Sequence, residues 1–415
     1  MRRALPALCL AVVAMSGLAP VPAAAAATAP LEGLPRYDHV FVLVEENESI
    51  DKTYGATSPA VYLKSLVKTG VFADHYYGVQ HNSLDNYIAM VSGQNPQALT
   101  QGDCLSLNLF TCAHLQVAGS TSADRNLADQ LDDKGVTWKG YMDGNTLPCQ
   151  HASYSPAATP DTWQGNGGTP AAAGVNYADR HNPFLYFPDI MDNEATRCVP
   201  HVRPFTQLAT DLTFGTVPQF GFITPDTCHD GHDNPCSGSS VGGLQAADTW
   251  LSTHLPTLLT YLGSHNGLLL IITDEGNFPS DTTGCCTGNP LGAAGVGGGR
   301  VGLVGLGPGV KVGQTVPTPY DHASLLRTLE SLFGISENLN NAGTAAAMVD
   351  LFGSSTPASG PTSPGGSSNA SNSGGGQLPP TAAAAFTAVP ALVALVLALF
   401  GLGTMLVLAK VGRDR

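Results

Sequence analysis

The sequence predicts an α/β domain whose central sheet is largely parallel and is covered by helices on both faces. Apolar runs of strand length alternate along the chain with amphipathic stretches of helix length, and this alternation is typical of a parallel sheet built from βα units. The clearest apolar and β-branched run is LLLIIT. We predict strands at residues 39–44, 136–141, 219–224, 268–273 and 301–306, and helices at residues 60–68, 83–91, 123–134, 244–262 and 321–333.

The ends of the chain indicate export and a membrane anchor. Residues 1–26 combine a basic start, an apolar stretch and an Ala-rich finish, which is typical of a secretory signal peptide. Residues 386–408 form a second apolar run that is long enough to cross a bilayer as a helix. The basic tail at residues 409–415 orients this transmembrane helix with its end in the cytoplasm. A cleaved lipid-anchor signal and an apolar core helix are the alternatives for the run.

Between the ends lies a body at residues 30–353, a length that fits one large domain. Residues 354–382, which follow the body, are rich in Ser, Gly and Pro and predict a flexible linker. The formal net charge of -14 argues against nucleic acid as a partner. Eight of the nine cysteines lie outside residues 1–26, and an even number in an exported chain indicates disulfides, although the sequence does not give their pairing.

Polar clusters follow the first, third and fourth predicted strands. They are Glu46 with Asn47, then residues 226–233, then Asp274 with Glu275. Because the carboxyl ends of parallel strands meet at one edge of a sheet, we expect these clusters to face one cleft. Adjacent carboxylates repel each other unless a cation neutralises them, and carboxylate and amide oxygens suit a divalent cation. We therefore expect a metal site here, although each cluster alone also fits a solvated turn.

Ser83 stands at the start of the predicted helix 83–91, in the segment HNSLDNYIAMVSG. A helix N-terminus favours the anionic oxygens of a phosphate through its exposed N–H groups and its dipole. A serine hydroxyl at this point attacks phosphorus once a base or a metal activates it. We expect Ser83 to be a nucleophile, although a serine before a helix is also a common N-cap.

Three histidines are candidates for proton transfer, because imidazole titrates near neutral pH. His181 lies in RHNPFLYF, His232 in PDTCHDGHD and His322 in YDHASLLRT, and each also fits a structural role. His229, in the same loop as His232, is the less favoured of that pair.

Residues 238–242, GSSVG, fit the G-x-S-x-G pattern of an esterase with Ser240 as nucleophile. Asp274 and His322 follow in the chain order that such an esterase requires. That pattern needs a strand leading directly into the serine turn, and here the loop DNPCSG precedes it.

Taken together, six segments resemble, in order, the phosphoesterase family that contains bacterial phospholipases C and the secreted acid phosphatases related to them. Between residues 39 and 334 they are EENESIDKTYG, NSLDNYIAMVSG, RHNPFLYF, FITPDTCHDGHD, IITDEG and YDHASLLRTLESLFG. Glu275 and the loop CHDGHD depart from the family pattern but keep its polar atoms. The resemblance implies an alkaline-phosphatase-like fold and a phosphoserine intermediate.

The resemblance also implies roles for single residues. It places a divalent cation, which is calcium, magnesium, manganese or zinc, on Glu46, Asn47, Ser83, Asp274 and Glu275. It gives His232 the protonation of the leaving group, and His181 and His322 further roles in the site.

The context NSLDNY around Ser83 resembles the phosphatase branch of the family more than the phospholipase branch. We therefore expect an extracytoplasmic metal-dependent phosphoesterase that acts on phosphomonoesters, with phospholipase C-type cleavage as the alternative. The expected partners are a phosphorylated small molecule or a phospholipid head group, and the membrane through the C-terminal helix. Two further functions compete with this expectation, a non-catalytic surface binding protein and a Ser240 carboxylesterase. The oligomeric state stays open.

Overall fold

The computed structural model describes residues 29–97, 100, 103, 125–150, 165–166, 169–170, 176–191, 193–286 and 297–353. They all belong to the first of two compact units of the chain, Met1–Pro357. The predicted signal peptide, linker, transmembrane helix and basic tail lie outside these residues. Within the described ranges, no helix is both long enough and apolar enough to cross a membrane.

Strands and helices alternate along the described chain, as the sequence predicts. The five predicted strands are confirmed within about two residues of their expected bounds. In chain order the strands are β1 (His39–Glu45), β2 (Val71–Ala73), β3 (Tyr76–Tyr77), β4 (Trp138–Met142), β5 (Gly165–Asn166), β6 (Thr169–Pro170), β7 (Val202–Pro204), β8 (Phe220–Thr224), β9 (Gly267–Thr273), β10 (Leu303–Leu306), β11 (Thr315–Val316) and β12 (Tyr320–Asp321).

The five predicted helices are also present. In chain order the helices are α1 (Ile50–Thr53), α2 (Val61–Leu66), α3 (Ser83–Ser92), α4 (Leu127–Asp133), α5 (Pro188–Met191), α6 (Val199–His201), α7 (Thr206–Phe214), α8 (Gly243–Ser264) and α9 (His322–Leu332). One boundary differs clearly from the prediction, because α4 begins only at Leu127. Asn126 caps this helix, and its side chain accepts a hydrogen bond from the backbone of Ala128. Short 3₁₀ turns occur at Asp179–His181, Pro183–Tyr186, Asn340–Gly343 and Val349–Leu351, and a π-helical turn at Glu194–Cys198.

Eight of these strands form the central sheet, in the order β11-β2-β10-β9-β1-β8-β4-β7. Every pair of neighbours is parallel except the two pairs that contain β10, which runs antiparallel to β9 and to β2. The prediction of a largely parallel sheet is therefore confirmed. β1 lies between β8 and β9, so the carboxyl ends of these three strands are next to each other.

Helices cover both faces of the sheet, which confirms the predicted architecture. Alternate residues of β1 point to opposite faces. Val40, Val42 and Val44 pack in one apolar cluster with residues of α3, α4 and α9, whereas Phe41 and Leu43 pack in a second cluster with residues of α2, α7 and α8. Glu46 continues the alternation after Val44, so the sheet places it on the side of α3.

Disulfides occur in the described chain, as the cysteine count predicts. They join Cys149 to Cys198, Cys228 to Cys236 and Cys285 to Cys286, whereas Cys104 and Cys112 lie outside the described residues. The bond between Cys228 and Cys236 closes the loop after β8 that carries His232. It therefore limits the movement of one of the polar clusters.

Candidate active site

The polar clusters predicted after the first, third and fourth strands meet at the carboxyl edge of the sheet. The Glu46 N–H donates to the backbone oxygen of Asp230 (2.8 Å), and the Asp274 N–H donates to that of Glu45 (2.9 Å). The Asn47 N–H donates to Asp274 Oδ1 (3.1 Å), across 227 positions of sequence. The structure thus brings together segments that the sequence connects only through the expectation that parallel strands end at one edge of the sheet.

Ser83 is buried, and its Oγ donates a hydrogen bond to Glu46 Oε2 (2.8 Å). The alternative in which Ser83 is the helix N-cap is wrong. Helix α3 begins at Ser83 itself, and its N-cap is Asn82, whose φ is 136°. Because Ser83 is the first helical residue, its hydroxyl is free to point at Glu46 instead of at the helix backbone.

The start of α3 is less open to a phosphate than the sequence suggests. The Leu84 N–H already donates to Asp103 Oδ1 (3.0 Å), so a carboxylate occupies the place expected for a substrate oxygen. Just before the helix, the Asn82 N–H donates to Glu275 Oε2 (2.9 Å), and His81 Nδ1 lies 3.0 Å from the same oxygen. Glu275, a predicted metal ligand, is therefore engaged in holding the loop that precedes Ser83.

His181 lies between two carboxylates. Its Nε2 is 3.2 Å from Glu46 Oε1, and its Nδ1 is 3.2 Å from Asp230 Oδ2. Neither contact has the geometry of a hydrogen bond, and the ring stacks on Tyr87 with centroids 5.2 Å apart. The ligand atoms of Glu46, His181 and Asp230 all lie within 4.8 Å of one another. This arrangement favours a metal ligand over the proton-transfer role predicted for His181.

Three carboxylate oxygens of the site have no hydrogen-bond partner, namely Glu46 Oε1, Asp230 Oδ2 and Asp274 Oδ2. Burial, and then the charges of Asp274 and Asp230, raise the pKa of Glu46 well above its usual range. Burial and the charge of Glu275 raise the pKa of Asp274 to about 8. Burial also raises the pKa of Asp230 well above its usual range.

Buried carboxylates without donors are costly unless a cation neutralises them. Two of these carboxylates, Glu46 and Asp230, form with the imidazole of His181 a ligand set that fits a divalent cation. This group contains Glu46 from the sequence-based set and adds Asp230 and His181. Asp274 lies close enough for its charge to raise the pKa of Glu46.

Asn47, another predicted metal ligand, contributes its backbone to the site. Its φ of 50° lies in the left-handed region, which asparagine tolerates better than most residues. In this conformation its N–H faces Asp274, and its backbone oxygen accepts a hydrogen bond from Asn277 Nδ2 (2.6 Å). The turn after β1 is thereby tied to the turn after β9.

His232 lies beside an arginine that sequence reasoning did not single out. Arg180 Nη2 is 3.3 Å from His232 Nε2, and His232 Nδ1 is 2.8 Å from Asp233 Oδ1. Because a guanidinium only donates, a neutral His232 carries its proton on Nδ1 and accepts from Arg180 at Nε2. Burial raises the pKa of Glu46 and of Glu275 well above the usual range, and the charge of Arg180 offsets part of this rise. The sequence signal for Arg180 was its position directly before His181.

His229 points to a different set of groups. Its Nδ1 lies 2.9 Å from Asp143 Oδ2 and 2.9 Å from Asp226 Oδ1. Burial lowers the pKa of His229, but the hydrogen bonds to these two carboxylates outweigh burial and raise it to about 10. A histidine that stays charged at neutral pH is a poor proton donor there.

His322 is fully buried and uses both ring nitrogens. Its Nε2 donates to the backbone oxygen of Asp274 (2.7 Å), and its Nδ1 lies 3.0 Å from Tyr76 Oη. Asp321 caps α9 by accepting from the Ser324 N–H, which places His322 at the first helical position. Burial lowers the pKa of His322 to about 4. His322 therefore holds the backbone of Asp274 in place. Both of its ring nitrogens have partners, so neither is available for proton transfer.

The esterase alternative lacks the required geometry. Ser240 is exposed in the turn after Cys236, and no strand leads into it. The ring of His322 is bonded to Asp274 and Tyr76 instead of to this serine.

The sequence profile described as the Phosphoesterase family matches residues 56–336, about two thirds of the chain. The match begins after the turn that carries Glu46 and Asn47. The chain is 26% identical over 242 residues to a "Probable acid phosphatase" of Kluyveromyces lactis, which covers 58% of this chain and 48% of that protein. It is 25% identical over 320 residues to a "Phosphatidylinositol-3-phosphatase" of Mycobacterium tuberculosis, which covers 77% of this chain and 84% of that protein.

The chain is also similar, at low sequence identity, to solved structures. One is a protein in the alkaline phosphatase superfamily from Vibrio parahaemolyticus, with a TM-score of 0.47 and 11% identity, covering 78% of this chain and 74% of that one. The chain spans about half the length of the Kluyveromyces relative.

The fold and the site define an α/β protein with a buried cluster of carboxylates and histidine at the carboxyl edge of its sheet. The chain belongs to the phosphoesterase family. The prediction of this family from six short segments is thereby confirmed, and so is the expected class, a family of hydrolases that act on phosphoric esters.

Proposed function

We propose that this chain is an extracytoplasmic, metal-dependent phosphoesterase that hydrolyses phosphomonoesters through a phosphoserine at Ser83. The observation that carries the proposal is the hydrogen bond from Ser83 Oγ to Glu46 Oε2 (2.8 Å). The other oxygen of Glu46 belongs to the group of carboxylate oxygens without partners. The proposed nucleophile is therefore hydrogen-bonded to a carboxylate whose second oxygen is available to a cation.

Glu46, Asp230, Asp274 and His181 would hold the divalent cation, with Ser83, Asn47 and Glu275 next to them. When bound, the cation supplies Lewis-acid stabilisation of the phosphate and lowers the pKa of the serine hydroxyl. Calcium, magnesium, manganese and zinc all accept oxygen ligands, and a single imidazole does not choose among them.

In the first half of the reaction, Ser83 Oγ attacks phosphorus in line with the departing alcohol. The Oγ–P bond forms while the bond from phosphorus to the alcohol oxygen breaks. The serine proton passes to Glu46 Oε2, which already accepts that hydrogen bond. Arg180 binds a non-bridging oxygen of the phosphate, as guanidinium groups do. In doing so it leaves His232 Nε2, which takes up a proton from solvent and donates it to the oxygen of the departing alcohol.

In the second half, a water molecule attacks phosphorus from the side that the alcohol left. The bond from the water oxygen to phosphorus forms while the Oγ–P bond breaks. Glu46 Oε2 returns its proton to Ser83 Oγ, and inorganic phosphate leaves. His232 now accepts the proton of this water at Nε2, which reverses its role in the first half. Asp233 stays on Nδ1 throughout and stabilises the imidazolium form. His322 takes no proton, and it acts only by holding the backbone of Asp274.

A phosphomonoester on a phospholipid head group is the second candidate substrate. The observation in its favour is the similarity to the mycobacterial phosphatidylinositol-3-phosphatase, of which the chain covers 84%. Diester cleavage of the phospholipase C type is the less favoured activity, because the Kluyveromyces and mycobacterial relatives are both described as phosphatases.

We further propose that the catalytic domain works outside the cytoplasm. The disulfides support this location, because such bonds persist in oxidising compartments. The signal peptide at residues 1–26, the catalytic domain at residues 30–353, the linker at 354–382 and the membrane helix at 386–408 stay predictions from the sequence. So does the cytoplasmic tail at residues 409–415.

The proposal is tested with Ser83→Ala and Ser240→Ala in the full-length protein. We expect hydrolysis of p-nitrophenyl phosphate, with divalent cations added back, to fall at least about a thousandfold in Ser83→Ala. Ser240→Ala is the matched control and keeps wild-type activity. Retained turnover in Ser83→Ala would exclude the mechanism, and loss of activity in Ser240→Ala would favour the esterase. Wild-type protein that binds phosphate esters without turning them over would favour a binding protein.

A further inference from the structure

Phe278 is a large apolar side chain exposed next to the site. Its exposed fraction is 67%, and it lies on the turn after β9, three residues beyond Glu275. Single exposed apolar residues are common on protein surfaces. What distinguishes this one is the way in which its turn is held and the residue that it covers.

The turn that carries Phe278 is fixed on both sides. On one side, the Asn277 N–H donates to Ser49 Oγ (2.9 Å), and Asn277 Oδ1 accepts from the Ser49 N–H (3.0 Å). On the other side, the backbone oxygen of Asp281 accepts from His81 Nε2 (2.7 Å), and its carboxylate accepts from the Arg300 N–H (2.9 Å). Phe278 is therefore held in place, and its exposure does not follow from a loose loop.

The ring of Phe278 lies over His81, with centroids 5.1 Å apart. His81 is buried and is in contact with Glu275, and it is two residues before Ser83 in the chain. The ring of Phe278 thus contacts, at a tilt of 53°, a histidine that precedes Ser83 by two residues, and most of the side chain is exposed to solvent.

We propose that Phe278 contacts an apolar or aromatic group in the alcohol part of the substrate, and so selects phosphomonoesters of apolar alcohols. This inference rests on the proposed function. Phosphate bound at Ser83 is surrounded by charged and polar side chains, so the alcohol part extends away from them towards the mouth of the site. An aromatic ring fixed there offers the apolar surface that an aryl or acyl group needs.

Two phenylalanines of the described chain are more than half exposed, and the second provides a matched control. Phe214 has an exposed fraction of 75%. It ends α7, and the chain then leads to the start of β8, at the edge of the sheet opposite to the site. Phe214→Ala removes the same side chain from a surface with no part in the proposed contact.

The test measures kcat/KM of the full-length protein for 2-naphthyl phosphate, for phosphatidic acid in mixed micelles and for glycerol 2-phosphate. In Phe278→Ala we expect kcat/KM for an apolar ester to fall by roughly threefold to tenfold, with little change for glycerol 2-phosphate. Phe278→Leu restores part of the loss, and Phe214→Ala leaves all three values unchanged. Comparing each variant with wild type on the same ester removes the difference in leaving-group chemistry.

The outcomes separate the inference from the proposed function. A loss with both apolar esters supports a general apolar contact, and a loss with one alone identifies its source as a soluble aryl ester or as a lipid. Equal effects of Phe278→Ala on all three esters, or none on any, would overturn the inference and leave the phosphatase intact. A wild-type protein that hydrolyses none of the esters would overturn both.

Discussion

Asp211 and Asp274 are both carboxylates buried against the central sheet, but their surroundings are opposite. Asp211, on α7, accepts hydrogen bonds from Lys139 Nζ and Tyr141 Oη, each at 2.7 Å, and from Thr216 Oγ1 at 2.8 Å. Burial raises its pKa, but these hydrogen bonds outweigh burial and hold the pKa below its usual range. Asp211 is therefore a stable ion that ties α7 to β4.

Asp274 has fewer partners. Its Oδ1 accepts from the backbone N–H groups of Asn47 and Glu275, whereas its Oδ2 accepts from no group. Burial and the neighbouring Glu275 raise its pKa to about 8. The same residue type thus has a pKa displaced in opposite directions. Burial and the charge of Glu275 dominate at Asp274, whereas hydrogen bonds dominate at Asp211.

The difference shows how a structural carboxylate is told from a functional one. A buried carboxylate that the fold satisfies contributes stability, whereas one that lacks donors subtracts from it. Glu46, Asp230 and Asp274 each have one buried oxygen without a donor, so these three carboxylates weaken the folded protein unless a ligand binds those oxygens. Groups of this kind concentrate at functional sites.

The largest expected effect belongs to Asp274→Asn. Asparagine keeps the oxygen that accepts from Asn47 and Glu275, and replaces the unpartnered oxygen by an NH2 group, which cannot bind a cation. We expect kcat/KM for p-nitrophenyl phosphate at saturating divalent cation to fall roughly a thousandfold. The variant should also be at least as stable as wild type in the presence of a chelator, as measured by urea denaturation. Activity within tenfold of wild type would remove Asp274 from the cation site.

The next effect is a pH dependence of stability in cation-free protein. The pKa of Asp274 is raised from 3.8 to about 8 in the folded state, so the folded protein binds this proton more tightly than the unfolded chain does. The free energy of unfolding should therefore fall as pH rises from about 4 to about 8, by up to about 1.4 kcal/mol per pH unit from this group.

Urea denaturation in chelator at pH 5 and pH 8 measures this slope. We expect a smaller slope for Asp274→Asn, and a gain in wild-type stability when a divalent cation is added at pH 8. Equal slopes for the two proteins would contradict the raised pKa. A cation that stabilises Asp274→Asn as much as wild type would place the cation elsewhere.

The smallest effect on activity belongs to Asp211→Asn. This variant makes the same change as Asp274→Asn, but at a carboxylate that already has hydrogen-bond donors. We expect a loss of about 2 kcal/mol in the free energy of unfolding at pH 7, because Lys139 loses its charged partner. Activity should stay within about twofold of wild type, because Asp211 lies outside the site.

The pKa of Asp211 is lowered in the folded state. Its contribution to the free energy of unfolding is therefore present above the pKa of the unfolded chain, and it is lost as pH falls through the pKa of the folded protein. The two proteins should thus converge in acid, and a constant difference down to pH 2 would contradict this origin.

The fold was largely predictable, and the parts that were not share one cause. β1 and β9 are long apolar runs, so their positions and their burial on both faces follow from composition alone. β2, β7 and β11 have two or three residues each, which is too short for a periodic pattern. They exist because neighbouring strands in the folded sheet offer them partners.

The candidate site also contains some residues that the sequence predicts and others that it does not. Glu46 and Asp274 were identifiable because each directly follows an apolar strand. Asp230 lies in a loop with several other polar residues, and nothing local distinguishes it from its neighbours. It joins the site because the loop folds back and its backbone oxygen accepts from the Glu46 N–H. Arg180 sits in a short 3₁₀ turn without periodicity, and only its place beside His232 gives it a role.

The sequence by itself determined the alternation of strands and helices, the polar clusters at three strand ends and the family, because these depend on residue type and on order along the chain. Only the tertiary structure decided which buried carboxylates receive donors and which do not. Donors come from segments far away in sequence, as Lys139 does for Asp211 and Asn47 does for Asp274. A carboxylate takes its charge state from these distant contacts, and they form only when the chain has folded.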